Sequence, residues 1–365
     1  MIEETVFSTP IIDDHAHPIE KLSADVIKKS FPDYFGEGNV STFHKRNTMN
    51  YRAVLRLLRE NFGDLDEDEL LEKRAEVDLK SYSKEMIDRT NTEMILTDDG
   101  FPDVSPKEFE GYTNSEIKPV LRLETVAESI INQNMEFEDF VDRFEKKVKS
   151  ALDGDYVGLK SIVAYRTGLD IEGPGKGEAK RSYNKVLKGW NGRISDPTLI
   201  GYLLNKSSNL AESYDVPIQF HTGFGDPDAH PYKIDPSSLF DFAEENPKTD
   251  IVVLHSGYPY VRKAGYIASC FNNVYVDISL SIPFIQHGVK QMIKEILELA
   301  PTTKVLYGSD AFSLPEIYVL AANRIRTDLT EVLEDLVKDG FMTQKYAKKT
   351  AKNILRENTK RLYNL

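Results

Sequence analysis

Short apolar runs alternate with amphipathic stretches along this chain. The runs fall at 7–12, 94–97, 119–123, 157–164, 216–220, 251–254, 274–278 and 304–307. Several are rich in Val, Ile and Tyr, and most end in polar residues or Gly, the marks of short buried strands. Eight such runs separated by helix-length segments predict a parallel α/β architecture. The count favours a (β/α)8 TIM barrel over a doubly wound open sheet.

The spacing is uneven. Far more chain lies between the first and second runs than one crossover helix requires. Within it, Tyr51, Val54, Leu55, Leu58 and Phe62 recur at the spacing of one helical face. Residues 64–79 offer a second helix with an acidic start. Residues of about 20–90 therefore read as a helical insertion after the first strand, placed over the mouth of the barrel. A separate small helical domain is the alternative. No linker divides the chain, so 1–365 reads as one domain. Residues 167–184 hold Gly168, Gly173, Gly175 and Gly177. They lack P-loop spacing and are not expected to open a helix, so a mobile loop is expected. Residues 315–365 predict two amphipathic helices parted near Gly340.

Composition narrows the partners. Against 46 basic residues stand 59 acidic ones, a formal charge of −13, which argues against nucleic acid. No apolar run is long enough for a membrane helix. The acidic start lacks a basic-then-apolar leader, so a soluble, cytoplasmic protein is expected. The single cysteine, Cys270, excludes a disulfide framework and a thiolate zinc cluster.

The sharpest chemical feature is His15 and His17, two residues apart at the end of the first run. In a strand they project to the same side, and imidazole is a good ligand for zinc and its neighbours. His221 ends the fifth run, His255 the sixth and Asp310 the eighth. Each alone reads as a satisfied polar strand end. Together, in a barrel, they converge on one face and supply ligands for a catalytic divalent metal. Lys160 lies inside the apolar fourth run, which is unfavourable unless the amine is paired or chemically changed. Arg166 closes that run and suits either a bidentate grip on a substrate carboxylate or an internal salt bridge. Arg122 and Glu124 read as an internal ion pair. His44 is a candidate lid residue and Asp277 a polar candidate on the seventh run. His230 and His287 read as surface residues, and Trp190 carries no functional signal.

The order His-x-His on the first strand, His on the fifth and sixth, and Asp on the eighth resembles the amidohydrolase superfamily. Within it the chain is similar to the amidohydrolase-2 branch, and there to the FluG/nodulin-type domain found fused to glutamine-synthetase-like domains. The finer resemblance rests on the strings at 97–100, 121–124, 158–166 and 255–260, and on Ile354, Leu355, Arg361, Leu362 and Tyr363. It implies a metal-dependent hydrolase of a C–N bond in a small carboxylated substrate, such as a γ-glutamyl amide. His15, His17 and Asp310 would hold one metal, and His221 and His255 a second. A carboxylated Lys160 would bridge them; otherwise its ammonium pairs with Glu124 or a substrate carboxylate. With one metal, His15, His17, His221 and Asp310 would hold it and His255 would stabilise an oxyanion. Asp310 would shuttle the proton. Zinc is the first expectation, with manganese or iron as alternatives. The competing readings are a mononuclear decarboxylase and a non-enzymatic binding barrel. Homo-oligomerisation is common for such barrels and is left open here.

Overall fold

Pro10 decides where the first strand begins. It cannot continue a helix and pushes Thr9 into extended backbone, so the run at 7–12 splits. Phe7 closes the short helix Ile2–Ser8, and strand β1 is Ile11–Ala16. In the computed structural model, which describes residues 1–365 apart from Gln133, Asp226 and Asp228, the other seven runs become strands. They are β2 (Thr92–Asp98), β3 (Glu116–Arg122), β4 (Gly158–Ser161), β5 (Ile218–Phe220), β6 (Ile251–Val253), β7 (Val274–Asp277) and β8 (Val305–Leu306). All neighbours pair in parallel, in the order β1 to β8.

The segment after β8 closes the ring back onto β1. Asp14 donates its N–H to the Tyr307 carbonyl at 3.0 Å, Asp310 to that of His15 at 2.8 Å, and His17 to that of Ala311 at 2.8 Å. The result is a (β/α)8 barrel. Because helices cover its outside and side chains fill its inside, β1 is buried at every position. Ile12, Leu96, Val120, Val252, Leu254 and Leu306 cluster inside the barrel with Leu362 and Tyr363. The C-terminal residues thus fill the end opposite the strand C-termini.

The chain between β1 and β2 is helical, as its periodicity predicts. Met49–Phe62 buries Tyr51, Val54, Leu55 and Leu58. Glu67–Glu76 starts at Asp66, whose carboxylate accepts from the Glu69 N–H while the Glu69 side chain accepts from the Asp66 N–H, a reciprocal cap. These helices enclose a second apolar cluster with Leu314, Ile317 and Tyr318, which follow β8. The expected loop at 167–184 is corrected in part: the helix Lys176–Lys188 starts directly after Gly175, with the Gly175 N–H donating to Glu178 Oε2 at 2.9 Å. The C-terminal stripe forms Pro315–Lys338 and Gln344–Lys352, parted at Gly340.

Candidate metal centre

Four imidazoles, one amine and one carboxylate meet at the strand C-termini. His15 is fully buried and His17 nearly so. His15 Nε2 lies 3.1 Å from Lys160 Nζ and 3.1 Å from Asp310 Oδ1. His17 Nε2 lies 3.0 Å from the same oxygen. His255 Nε2 faces His221 Nδ1 at 3.0 Å, and its Nδ1 lies 3.7 Å from Asp310 Oδ2. The structure therefore brings together His15, His17, Lys160, His221, His255 and Asp310.

Local backbone geometry makes this convergence. Asp310 (φ 49°), His255 (φ 63°) and Ser256 (φ 58°) occupy left-handed conformations, which β-carbon sterics disfavour and which cluster at functional sites. Gly308 lets neighbouring carboxylates approach closely here: a β-carbon on it would lie 2.6 Å from Asp277 Oδ2 and 2.8 Å from Asp14 Oδ1.

The outward nitrogens of three rings are fixed by hydrogen bonds. His17 Nδ1 donates to the Phe101 carbonyl at 2.8 Å, and His221 Nε2 to that of Phe224 at 2.7 Å. Ser279 Oγ gives its proton to Asp277 Oδ1, so it accepts from His255 Nδ1 at 2.9 Å. A neutral imidazole carries one N–H. His17 Nε2, His221 Nδ1 and His255 Nε2 are consequently lone-pair donors aimed inward. Two of them face each other, and the third faces a carboxylate oxygen that is buried without a hydrogen-bond partner among the described residues. Such a set repels itself unless a cation lies among it, and the donors are those of a zinc-type ion. His15, His255 and Asp310 present ligand atoms within 4.8 Å of one another, as do His15, His17 and Asp98.

Protons are disfavoured on three of the rings. Burial lowers the His15 pKa to about 4 and the His221 pKa to about 3, with the Lys160 charge adding to both. His255 falls well below the ordinary imidazole value for the same first reason. Burial alone would raise Asp310, but His255 and His15 reverse it and hold the carboxyl well below the carboxylate range. Lys160 drops to about 8 because it is buried, against the opposing pull of Asp98 and Asp310. An amine so placed is neutral in part of its population near neutral pH.

The remaining expectations divide. Lys160 does not pair with Glu124, whose carboxylate accepts from Ser161 Oγ at 2.6 Å and the Ile162 N–H at 3.1 Å. Nor do Arg122 and Glu124 pair: Arg122 Nη2 reaches Asp98 Oδ2 at 2.7 Å. Asp98 ends β2 in register with Val120, two residues before Arg122 on β3. Arg166 forms the internal salt bridge of its second reading. Its Nη2 lies 3.1 Å from Glu128 Oε1, while its Nε is buried without a partner among the described residues. His44 is exposed and packs against Phe43, and does not line the site. His230 and His287 are exposed as expected. Asp277 supports the His255 N–H at 3.0 Å rather than reaching the centre. Sequence reasoning passed over Asp98, Ser279 and Lys45; for Asp98 the signal was a buried acid closing a strand.

Above the centre opens a cavity of about 670 Å3. It is lined by His15, His17, Lys160, His221, His255 and Asp310, by Arg122, Arg166 and Arg193, and, from the insertion, by Asp33, Gly36, Glu37 and Lys45. Its size suits a small molecule.

Comparison with known proteins places the chain among similar sequences and folds. Residues 200–365 match the family model described as Amidohydrolase. The chain is 28% identical to Protein fluG of Emericella nidulans over 98% of its own length, and spans 46% of that relative. It is 29% identical to a presumed metal-dependent hydrolase from Lactobacillus casei, with a TM-score of 0.91, covering 100% of this chain and 97% of the other. A glucuronate isomerase from Caulobacter crescentus shares the fold at 12% identity and a TM-score of 0.71, with 100% and 93% covered. Among the described residues no helix is long and apolar enough to cross a membrane.

Proposed function

We propose, from the premise that this chain is an amidohydrolase-superfamily barrel similar to FluG, that it hydrolyses a C–N bond in a small carboxylated substrate such as a γ-glutamyl amide. One observation carries the reading: His17 Nε2 faces Asp310 Oδ1 at 3.0 Å and His221 Nδ1 faces His255 Nε2 at 3.0 Å, so ring lone pairs are turned toward one another and toward a carboxylate at the strand C-termini. His15, His17 and Asp310 would hold one divalent cation, and His221 and His255 a second, with zinc preferred over manganese or iron. When bound, such ions supply Lewis acidity and an activated water. Asp310 takes the proton from the attacking water and returns it to the leaving amine. Arg166 orients the substrate carboxylate with the nitrogen it has to spare.

The test loads purified protein with zinc, manganese or iron and assays a panel of γ-glutamyl amides. Turnover in the wild type and a loss of about 10²–10⁴-fold in Asp310→Asn are expected. Absence of turnover across the panel in metal-loaded protein would remove the proposal. The competing reading, a mononuclear decarboxylase, needs no bridge at Lys160 and predicts close to one metal equivalent per chain and an unmodified Lys160.

A further inference from the structure

We infer that the substrate carries a carboxylate at each end, one held by Arg166 on the barrel wall and the other by Lys45 on the insertion. This rests on the cavity being the substrate site and names the amine half of the amide: an amino acid rather than a plain alkylamine. Neither carboxylate reacts; water adds to the amide carbon, the C–N bond breaks, and the amine leaves with the returned proton.

Not every cation lining the cavity is available. Arg122 is committed to Asp98, with Nε at 3.1 Å and Nη2 at 2.7 Å. Arg193 Nη2 donates to the Tyr165 carbonyl at 2.7 Å. Arg166 retains its buried Nε.

Lys45 lines the same cavity from the insertion after β1. It ends the short helix Thr42–Lys45 and is 8% exposed. Its stem lies along Gly36, where a β-carbon would sit 3.7 Å from Lys45 Cγ. Its ammonium reaches the Asp33 carbonyl only at 3.4 Å and Asp33 Oδ1 at 3.6 Å. Charge-assisted bonds of an ammonium normally close to about 2.7–2.9 Å. The Asp33 carboxylate is meanwhile engaged by Thr42 Oγ1 at 3.1 Å and is 38% exposed on its side chain. A buried ammonium with three donors, whose contacts to Asp33 are both long, has capacity for an anion entering the cavity that it lines. Phe101, Ile162 and Phe312 line the space as well and suit the apolar middle of such a molecule.

The experiment measures binding, not turnover. Glutarate, pimelate and azelate, each with its monomethyl ester, are titrated calorimetrically into metal-loaded wild type, Lys45→Met, Lys45→Gln, Lys45→Arg and Arg166→Gln. Thermal unfolding of each variant confirms that it is folded. At least one diacid should bind the wild type about tenfold or more tighter than its own monoester. That preference should vanish in Lys45→Met, Lys45→Gln and Arg166→Gln and survive in Lys45→Arg. A preference that survives loss of the Lys45 charge overturns the inference, as does its absence for every diacid in the wild type. Failure of the hydrolase reading looks different: diacid preference intact, with no amide turned over.

Discussion

Ser279 illustrates how single residues set the chemistry. It fixes the proton of His255 on Nδ1 and is itself fixed by Asp277. Removing such an outer partner typically weakens metal binding 10–100-fold. Ser279→Ala should therefore lower zinc affinity by about that factor, measured by competition with a chromogenic chelator; an unchanged affinity would show that the ring is held by packing alone. A second residue-scale expectation concerns Asp250, which precedes β6. Its pKa is raised to about 6 by burial first and by the Asp215 charge second, with Lys304 opposing. The folded protein then binds a proton more tightly than the unfolded chain, so ionised Asp250 destabilises as pH rises from about 4 through 6. Asp250→Asn should stabilise by about 1 kcal/mol at pH 8, after allowance for its partial exposure, and by little at pH 4. Denaturant melts at both pH values check it, and an equal effect at both would refute the assignment. At this scale the convergence of these side chains was legible because histidines closing strands have few bland explanations as a set. Lys45 was not, because nothing in a short charged stretch says which ammonium will be turned inward.

Elements were legible where periodicity was long. The face of Met49–Phe62 and the stripe of Pro315–Lys338 follow directly from spacing. Short elements were not. The run at 157–164 is a strand only to Ser161, because Glu124 captures Ser161 and Ile162 and bends the chain into a 3-10 turn, Val163–Tyr165. Three closely spaced glycines and a proline hid the start of Lys176–Lys188. What holds the helices after β1 to the helix after β8 could not be read at all, since it joins residues 242 apart. Arg74 grips buried Glu316, and Tyr82 donates to the same carboxylate at 3.0 Å. Breaking a buried pair by removing one charge usually costs about 3–5 kcal/mol. Glu316→Gln should destabilise by that order in urea melts, and Arg74→Met combined with Glu316→Leu should recover part of it. A loss under about 1 kcal/mol would mean that apolar packing alone seats these helices.

At the scale of the whole molecule, closure of the barrel is what forces the donors together. The hydrogen bonds from Asp14, His17 and Asp310 that join β1 to the chain after β8 also fix the distances within the ligand set. The folded protein thus confines mutually repelling lone pairs that the unfolded chain is free to separate. A cation bound only to the folded state reverses that penalty, adding about 4 kcal/mol when present at a thousand times its dissociation constant. For a chain of 365 residues this corresponds to a rise of several degrees in unfolding temperature. Dialysis against a chelator should lower the midpoint by that amount, and returning zinc should restore it. His15→Ala should remove the response while keeping the barrel, because its ring is a proposed ligand and not part of the apolar core. A midpoint indifferent to chelator and to added zinc, manganese or iron would mean that the cluster balances its own charges. The convergence would then be structural, and the hydrolase reading would lose its physical basis.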